Sequence, residues 1–381
     1  MIRRIPVTKG SPADHRFAGS REYFEQALTL AAAACERPQA TTKCIDLGGG
    51  KRASLHFSDL SLENLLYPAL AHQELQEQQT EADFKILAWD SLHSGIAMWS
   101  PPWTTADYLA RGEIAGYNDE RFRAVFQLDS RVLSFYDAAR QIGLWWTQDY
   151  TGLPLYERAA PFLLLFHWWH ALGCDESLLI HGAAVGTEYC GGLLLAGRSG
   201  SGKSTTALAC LLDGNWFYLA DDYCIVRAGA GTPTVRSLYC SAKIDGEILA
   251  RFPAMGRKAS LYEIGLEVGG KIGFDVFQSF PESFRQELPL SAILLPRVPS
   301  QNNGTQSNRF TQAGAGEAVR ALAPSTLFQL PGAGPKNFGL IVALTNRLPC
   351  FQIELGSEPA VVPQSLREFM KRLLPHATNP N

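Results

Sequence analysis

A glycine-rich segment at residues 197–204 constrains the fold of this chain more than any other feature. Its sequence, Gly-Arg-Ser-Gly-Ser-Gly-Lys-Ser, fits the phosphate-loop pattern G-x-x-x-x-G-K-[ST]. Apolar residues 193–196 before it predict a buried strand, and residues 205–212 after it predict a helix that Gly214 can end. This order of strand, glycine loop and helix predicts an α/β fold built around a phosphate site.

Each residue type in the segment has a role in binding a nucleoside triphosphate. Glycines let successive backbone N–H groups turn toward phosphate oxygens, and the start of the helix adds its positive dipole end. Lys203 brings a cation to the β- and γ-phosphates, and the Ser204 hydroxyl can ligate Mg²⁺. The alternative is a glycine turn that carries a lysine by chance, but the flanking strand and helix favour a nucleotide site. We expect ATP to contact Gly197, Arg198, Ser199, Gly200, Ser201, Gly202, Lys203, Ser204 and Thr205.

Two adjacent acids follow this loop after one helix and a turn. Asp221 and Asp222 interrupt an apolar strand predicted over residues 216–226. A parallel strand beside the loop strand would bring both carboxylates to the phosphate end of the sheet. One carboxylate can then hold Mg²⁺, and the other can accept the proton of an attacking hydroxyl. The alternative, an exposed turn with two acids, is disfavoured because apolar residues flank the pair and unpaired buried carboxylates are costly.

Together these motifs resemble a known kinase family. His181-Gly182, the glycine loop and the Asp221-Asp222 pair are similar to the catalytic core of HPr kinase/phosphorylase and its serine-kinase-like relatives. The resemblance is close over about residues 177–226 and diffuse from there to residue 372. It implies a C-terminal α/β P-loop kinase core of the type shared by HPr kinase and phosphoenolpyruvate carboxykinase, with ATP and Mg²⁺ as cofactors.

The resemblance also implies residue roles and a substrate class. It makes Asp221 the general base toward a serine hydroxyl and Asp222 a magnesium ligand with Ser204, and it puts His181 beside the transferred phosphate. A histidine that simply ends a buried strand is an equal alternative for His181. The acceptor would be a protein or peptide with a serine-type hydroxyl, as for peptide-tailoring kinases of this kind. A regulatory, slowly hydrolysing ATP-binding module and a small-molecule kinase remain open as alternatives.

One part of the family pattern is missing. The bifunctional enzymes carry an arginine in a signature E-[IV]-R-G-x-G after the acid pair, whereas the nearest segment here, residues 267–273, reads Glu-Val-Gly-Gly-Lys-Ile-Gly. It lies further downstream and lacks the arginine. The sequence therefore gives no support for a phosphorylase reaction or for HPr itself as the acceptor.

Residues 1–174 carry no recognisable catalytic motif and predict an α+β domain. The glycines at 48–50 are interpreted as a hairpin turn because no G-K-[ST] ending follows them. His167 and His170 are interpreted as core histidines rather than metal ligands. The predicted elements are a helix at 21–35, strands at 42–47, 53–57, 84–89, 96–99, 121–128, 131–136 and 143–146, and a long helix at 156–172.

We therefore predict two domains. Residues 1–174 would form the α+β domain, which recognises the substrate or mediates assembly into a homo-oligomer, and residues 175–381 would form the P-loop kinase domain. After residue 226 the sequence predicts strands at 290–295, 339–344 and 350–355, a helix at 362–374, and a polar mobile loop at 299–316. Five basic residues are candidates for stabilising the transferred phosphate: Lys243, Arg251, Arg257, Lys258 and Lys271.

The bulk composition limits the partners. A formal net charge of −3 over 381 residues gives no general attraction to nucleic acid or to an anionic membrane. The longest apolar run, residues 159–172, is too short to span a bilayer, and no apolar segment of a signal peptide follows the first residues. The 8 cysteines include no C-x-x-C pair, and several lie in apolar segments as in reducing compartments. We expect a cytoplasmic protein without nucleic-acid or membrane partners.

Overall fold

A computed structural model describes residues 19–76, 81–173, 176–246, 263–266, 270–299, 307–332 and 334–373 of the chain. It is a mixed α/β structure in which the described strands form three sheets. The described α-helices are α1 (Ser20–Cys35), α2 (Leu60–Leu66), α3 (Ser91–Ser94), α4 (Leu155–Ala159), α5 (Leu163–Leu172), α6 (Lys203–Asp213), α7 (Val276–Ser279), α8 (Ala315–Leu327), α9 (Gly334–Arg347) and α10 (Val362–Leu373). The described strands are β1 (Thr41–Gly48), β2 (Lys51–Phe57), β3 (Phe84–Asp90), β4 (Phe122–Gln127), β5 (Val132–Asp137), β6 (Ile142–Thr147), β7 (Ser177–His181), β8 (Ala183–Thr187), β9 (Gly191–Leu195), β10 (Phe217–Ala220), β11 (Tyr223–Arg227), β12 (Thr234–Ser237), β13 (Ser241–Asp245), β14 (Glu263–Leu266), β15 (Lys271–Asp275), β16 (Glu287–Arg297), β17 (Arg309–Ala313) and β18 (Cys350–Glu354).

The first sheet has the order β1-β2-β3-β6-β5-β4. Its strands β2, β3 and β6 run parallel, and the other neighbours are antiparallel. The predicted helix at 21–35 is confirmed as α1, which buries a stripe at helical spacing that includes Phe24 and Ala27. Phe24 meets Phe135 of β5 edge to face, with ring centroids 4.9 Å apart. Helix α1 therefore covers one face of this sheet.

The glycines at 48–50 form the turn of the β1–β2 hairpin, which confirms the turn interpretation. All three have positive φ, a region that other residues rarely adopt. A Cβ on Gly49 would also collide with the guanidinium of Arg227, which lies on the second sheet. Glycine is therefore required here both by the turn and by the close approach of the other sheet.

Two sequence predictions in this part of the chain are wrong. Residues 96–99 form no strand, because the backbone N–H groups of Ile96 and Met98 bond to the hydroxyls of Ser94 and Ser91, at 3.1 and 3.2 Å. The long helix predicted at 156–172 is broken into α4 and α5. Pro161 disfavours helical backbone just before it. Phe162 then has a positive φ of 60°.

The second sheet has the order β10-β8-β9-β16-β12-β11-β7, with β18 beside β16 and β17 beside β18. Strands β9, β16 and β18 are parallel, so their carboxyl ends meet at one edge. Alternate residues of β9 face opposite sides. Leu193 and Leu195 share a core with α6 and α10, whereas Leu194 shares a core with α8 and α9. Helices thus cover both faces of the parallel strands.

The strand pairs at the two ends of this order, β7 with β11 and β8 with β10, are the two halves of one bent antiparallel ribbon. Strand β7 pairs with β11, and β8 pairs with β10. Residues 177–187 therefore form two strands, which separate at Gly182. On the other arm, β10 and β11 separate at Asp221 and Asp222. The bend thus lies where the sequence has the His-Gly and Asp-Asp pairs.

Of the C-terminal expectations, two need correction or qualification and two are confirmed. Residues 339–344 are not a strand but part of α9, whose buried Ile341 and Leu344 repeat at helical spacing. The loop predicted at 299–316 contains strand β17, and its residues 300–306 lie outside the described residues. The strand predicted at 350–355 and the helix predicted at 362–374 are confirmed as β18 and α10.

The two larger sheets share an apolar core. It contains Leu55 and Trp145 of the first sheet together with Ile225 of the second. The predicted core histidines are confirmed, since His167 is 0% and His170 1% exposed. The division into two domains at residue 174 stays a prediction.

A buried guanidinium also links the two sheets. Arg236 of β12 donates to the Asp46 carboxylate of β1 at 3.0 Å, to Gln73 Oε1 at 2.6 Å and to Glu287 of β16 at 3.1 Å.

Nowhere in the described ranges is a helix both long and apolar enough to cross a membrane.

Candidate active site

The glycine loop leaves the end of β9 at the edge where the parallel strands end. The Ala196 N–H donates to the Leu294 carbonyl of β16 at 2.9 Å, and the chain then turns through the loop into α6. Gly202, just before α6, has a φ of 101°, and Gly200 has a φ of 76°. A Cβ on Gly197 would lie 2.8 Å from Ser201 Oγ. The glycines therefore lie at positions where the backbone is left-handed or where a Cβ would be too close to a neighbouring atom.

Lys203 lies at the first turn of α6 with its side chain folded over the loop. It is 7% exposed, and its Nζ donates to the carbonyls of Gly197 at 2.9 Å and Arg198 at 3.2 Å. Burial lowers the pKa of this ammonium, and the charges of Asp221 and Asp222 oppose that shift. The ammonium is thus held at the loop, within reach of a phosphate bound there.

Asp221 connects the acid pair to the loop. It is 4% exposed, and one of its carboxylate oxygens accepts a hydrogen bond from Ser204 Oγ at 2.8 Å. Burial and the neighbouring charge of Asp222 raise the pKa of Asp221 to about 6. A hydroxyl and a carboxylate are hard oxygen ligands of the kind Mg²⁺ prefers, so the pair Ser204 and Asp221 fits that ion.

Asp222 faces a different set of groups. Its carboxylate lies 2.5 Å from Lys243 Nζ of β13 and 3.8 Å from His181 Nε2. Burial raises the pKa of Asp222, but His181 and the Lys243 charge outweigh burial and hold that pKa well below its usual range. Its backbone is left-handed, with a φ of 73°, which aspartate tolerates better than most residues. A strained turn therefore directs the two neighbouring carboxylates toward different partners.

Strand register explains why His181 is near this carboxylate. His181 ends β7 and pairs with Tyr223, the residue after Asp222, in the β7–β11 ladder. The next residue, Gly182, donates its N–H to the Asp222 carbonyl at 3.0 Å. The His181 Nδ1 atom is buried and has no hydrogen-bond partner among the described residues. The ladder thus fixes the imidazole beside the acid pair.

The expectation of a parallel strand directly beside the loop strand is wrong in detail. Strand β8 pairs antiparallel with both β9 and β10, so β10 runs in the same direction as β9 but one strand away. The residues that follow both strands still meet, as the contact between Ser204 and Asp221 shows. The apolar pattern of β10 carries no information about which strand is its neighbour.

A cavity of about 300 Å³ opens beside Asp222. Asp222, His181 and Lys243 form part of its wall, together with residues of the first sheet and of the α4–α5 segment. Asp221 is not in this wall. The acid pair therefore has one member at the glycine loop and the other at the cavity.

Sequence reasoning missed most of the cavity wall. Glu157, Gln127 and Ser134 line it, although no motif marks them. The one available signal was Glu157, an acid two residues before the apolar run at 159–172. Of the five candidate cations, Lys243 reaches Asp222, Lys271 is exposed at the start of β15, and Arg251, Arg257 and Lys258 lie outside the described residues, as does Glu267 of the altered signature.

Comparison with known proteins adds little to this geometry. No protein-family profile matches the chain, and no curated protein sequence matches it. Among solved structures, the chain is similar to the Hpr(Ser) kinase/phosphatase from Coxiella burnetii, with 11% identity over 51% of this chain and 97% of that chain. The TM-score of 0.29 is too low to establish a shared fold. Any functional conclusion therefore depends on the arrangement of this chain's own residues.

Proposed function

We propose that this protein is an ATP- and Mg²⁺-dependent phosphotransferase, an HPr-kinase-like serine kinase that acts on a serine-type hydroxyl of a protein or peptide. One observation carries the proposal. The acid pair connects the glycine loop, through the bond between Ser204 and Asp221, to a cavity lined by Asp222. A phosphate site, two carboxylates and room for an acceptor, placed next to one another in this way, are suited to phosphoryl transfer.

The phosphate side uses the loop residues 197–205. Their amides and the start of α6 would bind the phosphates, and the Lys203 ammonium would exchange its carbonyl partners for β- and γ-phosphate oxygens. Ser204 and Asp221 would hold Mg²⁺. When bound, this ion neutralises charge that develops on the phosphate oxygens.

We propose that the two carboxylates have exchanged the roles that the sequence resemblance implies. A general base must first be within reach of the proton that it accepts, and Asp222 is the carboxylate at the cavity. Asp221 is the one at the Ser204 hydroxyl. Asp222 would then orient the acceptor hydroxyl and take its proton, while Asp221 would serve the metal.

The chemical step is then an in-line displacement. A bond forms between the acceptor oxygen and the γ-phosphorus, the bond from that phosphorus to the β–γ bridging oxygen breaks, and ADP leaves. The hydroxyl proton goes to Asp222. Lys243 and His181, beside that carboxylate, would stabilise negative charge on the transferred group.

The experiment is transfer of labelled γ-phosphate from ATP to candidate acceptors, with ATP affinity measured in parallel. We expect Asp222→Asn to reduce transfer by about 10²- to 10⁴-fold with little change in ATP affinity. Asp221→Asn should raise the Mg²⁺ concentration needed for half-maximal transfer. Asp213→Asn is the control, because that carboxylate pairs with Arg367 away from the site. Failure to bind ATP at any Mg²⁺ concentration would contradict the proposal, as would full activity of Asp222→Asn.

A second candidate, a small-molecule kinase, is favoured by the cavity, whose size of about 300 Å³ suits a compound of modest size. The same assay separates the two, since the label would appear on a peptide or on a small molecule. Label found only in free phosphate would indicate the regulatory ATP-hydrolysing alternative instead.

A further inference from the structure

The cavity beside Asp222 is built from both large sheets. Its wall includes Gln127, Ser134 and Trp145 of the first sheet, on β4, β5 and β6. The opposite part belongs to the second sheet and carries Asp222 and His181. The residues of the first sheet therefore contribute to whatever binds next to the acid pair.

Resting on the transfer function proposed above, we propose that this cavity binds the phosphate acceptor, and that the acceptor is a residue-sized hydroxyl compound that carries an ammonium group. Its hydroxyl would face Asp222, and its ammonium would face Glu157. A free amino alcohol and a peptide that begins with serine both present this chemistry.

Glu157 supplies the first argument. The side chain lines the cavity, yet the residue is only 5% exposed. Ser130 Oγ donates to it at 2.9 Å, and Gln127 also bonds to it. Within the described ranges no ion pair to this carboxyl is found, and its hydrogen-bond partners are neutral. Burial, opposed only by these neutral hydrogen bonds, raises the pKa of Glu157 to about 7.

A buried carboxyl with neutral partners is costly to ionise, and a cation brought by a ligand removes that cost. An anionic ligand would instead meet repulsion at Glu157 whenever that group is ionised. The wall at this carboxyl therefore favours an ammonium group over a neutral or anionic one.

Aromatic side chains supply the second argument. Trp145, Tyr156, Phe162 and Tyr223 all line the cavity. The rings of Trp145 and Phe162 meet edge to face, with centroids 6.0 Å apart, so their positions are fixed by packing. Aromatic faces attract cations, most strongly where water is excluded. A cavity wall that contains both an acid and aromatic rings is suited to an ammonium group.

The charges around Asp222 fix the orientation. The Lys243 ammonium lies 2.5 Å from that carboxylate, so this end of the cavity already has a positive group. An ammonium there would meet like charge, whereas a hydroxyl could donate to Asp222. The ligand would therefore lie with its hydroxyl toward the acid pair and its cation toward Glu157.

Size supplies the third argument. A volume of about 300 Å³ is at the lower limit of small-molecule sites. It admits an amino alcohol or one terminal residue with its neighbour, but not the surface of a folded protein. The volume therefore favours a small molecule or the end of a chain as the acceptor.

Calorimetry and phosphate transfer on the full chain test the inference. The ammonium probes are ethanolamine, serine and the peptide Ser-Ala-Ala, and the matched probes without a cation are ethylene glycol, glycerate and N-acetyl-Ser-Ala-Ala. We expect binding and transfer with at least one ammonium probe and at least about tenfold weaker use of its matched partner. Whether the free compounds or the peptide react identifies the source of the acceptor.

The variant Glu157→Gln should bind the same ammonium probe at least about tenfold more weakly, while its affinity for ATP stays unchanged. Glu63→Gln is the control, since that buried glutamate pairs with Lys43 and is not in the cavity wall. If Glu157→Gln does not fold, the comparison of ammonium and matched probes on the unaltered protein decides alone.

The outcomes separate this inference from the transfer function. Equal use of neutral and ammonium probes, or no binding of any ammonium probe, overturns the inference, and the transfer function then stands if another acceptor is labelled. Glu157-dependent binding of an ammonium probe without any phosphate transfer supports the cation site and removes the transfer function.

Discussion

Replacing Arg236 by methionine should lower the free energy of unfolding by about 3 kcal/mol. Arg236 is 6% exposed, and its guanidinium bonds to Asp46, Gln73 and Glu287, which lie on both large sheets or beside them. Methionine keeps an apolar stem of similar length, so the change isolates the polar interactions.

The magnitude follows from what each partner can do after the change. The side chains of Asp46 and Glu287 are 36% and 31% exposed, so water can replace the guanidinium and each loss is about 1 kcal/mol or less. Gln73 is 1% exposed, and its Oε1 would lose a charged donor without water to replace it, which costs about 1–3 kcal/mol. Together these losses reach the lower part of the range of about 3–5 kcal/mol for breaking a buried ion pair.

Urea unfolding followed by tryptophan fluorescence measures the change. Arg367→Met is the matched control, because that arginine pairs with Asp213 but is 31% exposed, and we expect it to cost about 1 kcal/mol or less. Equal effects of the two variants, or a loss below about 1 kcal/mol for Arg236→Met, would refute the argument that the buried link stabilises the contact between the sheets.

Three further predictions concern the site. Gly182→Ala adds a Cβ at 2.8 Å from the Leu195 carbonyl, just before the glycine loop, so it should cost about 1–3 kcal/mol in thermal unfolding and weaken ATP binding; unchanged values would refute the close contact. Lys203→Met should weaken ATP binding about 10- to 100-fold in titrations with a fluorescent analogue, because charged hydrogen bonds to phosphate are lost, and equal affinity would remove the lysine from the site. The pKa of Asp221 is raised from 3.8 to about 6 in the folded protein, so its ionisation lowers stability as pH rises through that interval. The Tm of Asp221→Asn minus the Tm of wild type should therefore be larger at pH 7 than at pH 4. An equal difference at both pH values would contradict the raised pKa.

The sequence predicted the elements whose formation depends on residues adjacent in the chain. Strand β9, the glycine loop and α6 follow from an apolar run, glycines with positive φ and a good helix-forming segment that are contiguous in the chain. Helix α1 and the hairpin at the glycines 48–50 follow for the same reason. Local propensity and tertiary structure agree in these segments.

What the sequence did not predict depends on distant residues. The strand expected at 96–99 failed because two serine hydroxyls, Ser91 and Ser94, bond to its backbone. The order of β8, β9 and β10 is set by long-range pairing, which an apolar pattern does not specify. The cavity wall combines Gln127, Glu157 and Asp222, which are far apart in the chain, so no spacing rule could find it.

The bent ribbon of β7–β8 and β10–β11 has a consequence for divergence among related chains. It fixes the separation of His181, the acid pair and the glycine loop through backbone ladders, which tolerate exchange of most surrounding side chains. The opposite wall of the cavity belongs to the first sheet and the α4–α5 segment, which do not take part in those ladders. Substitutions on that wall can therefore change the shape and charge of the cavity while the glycine loop and the acid pair keep their geometry.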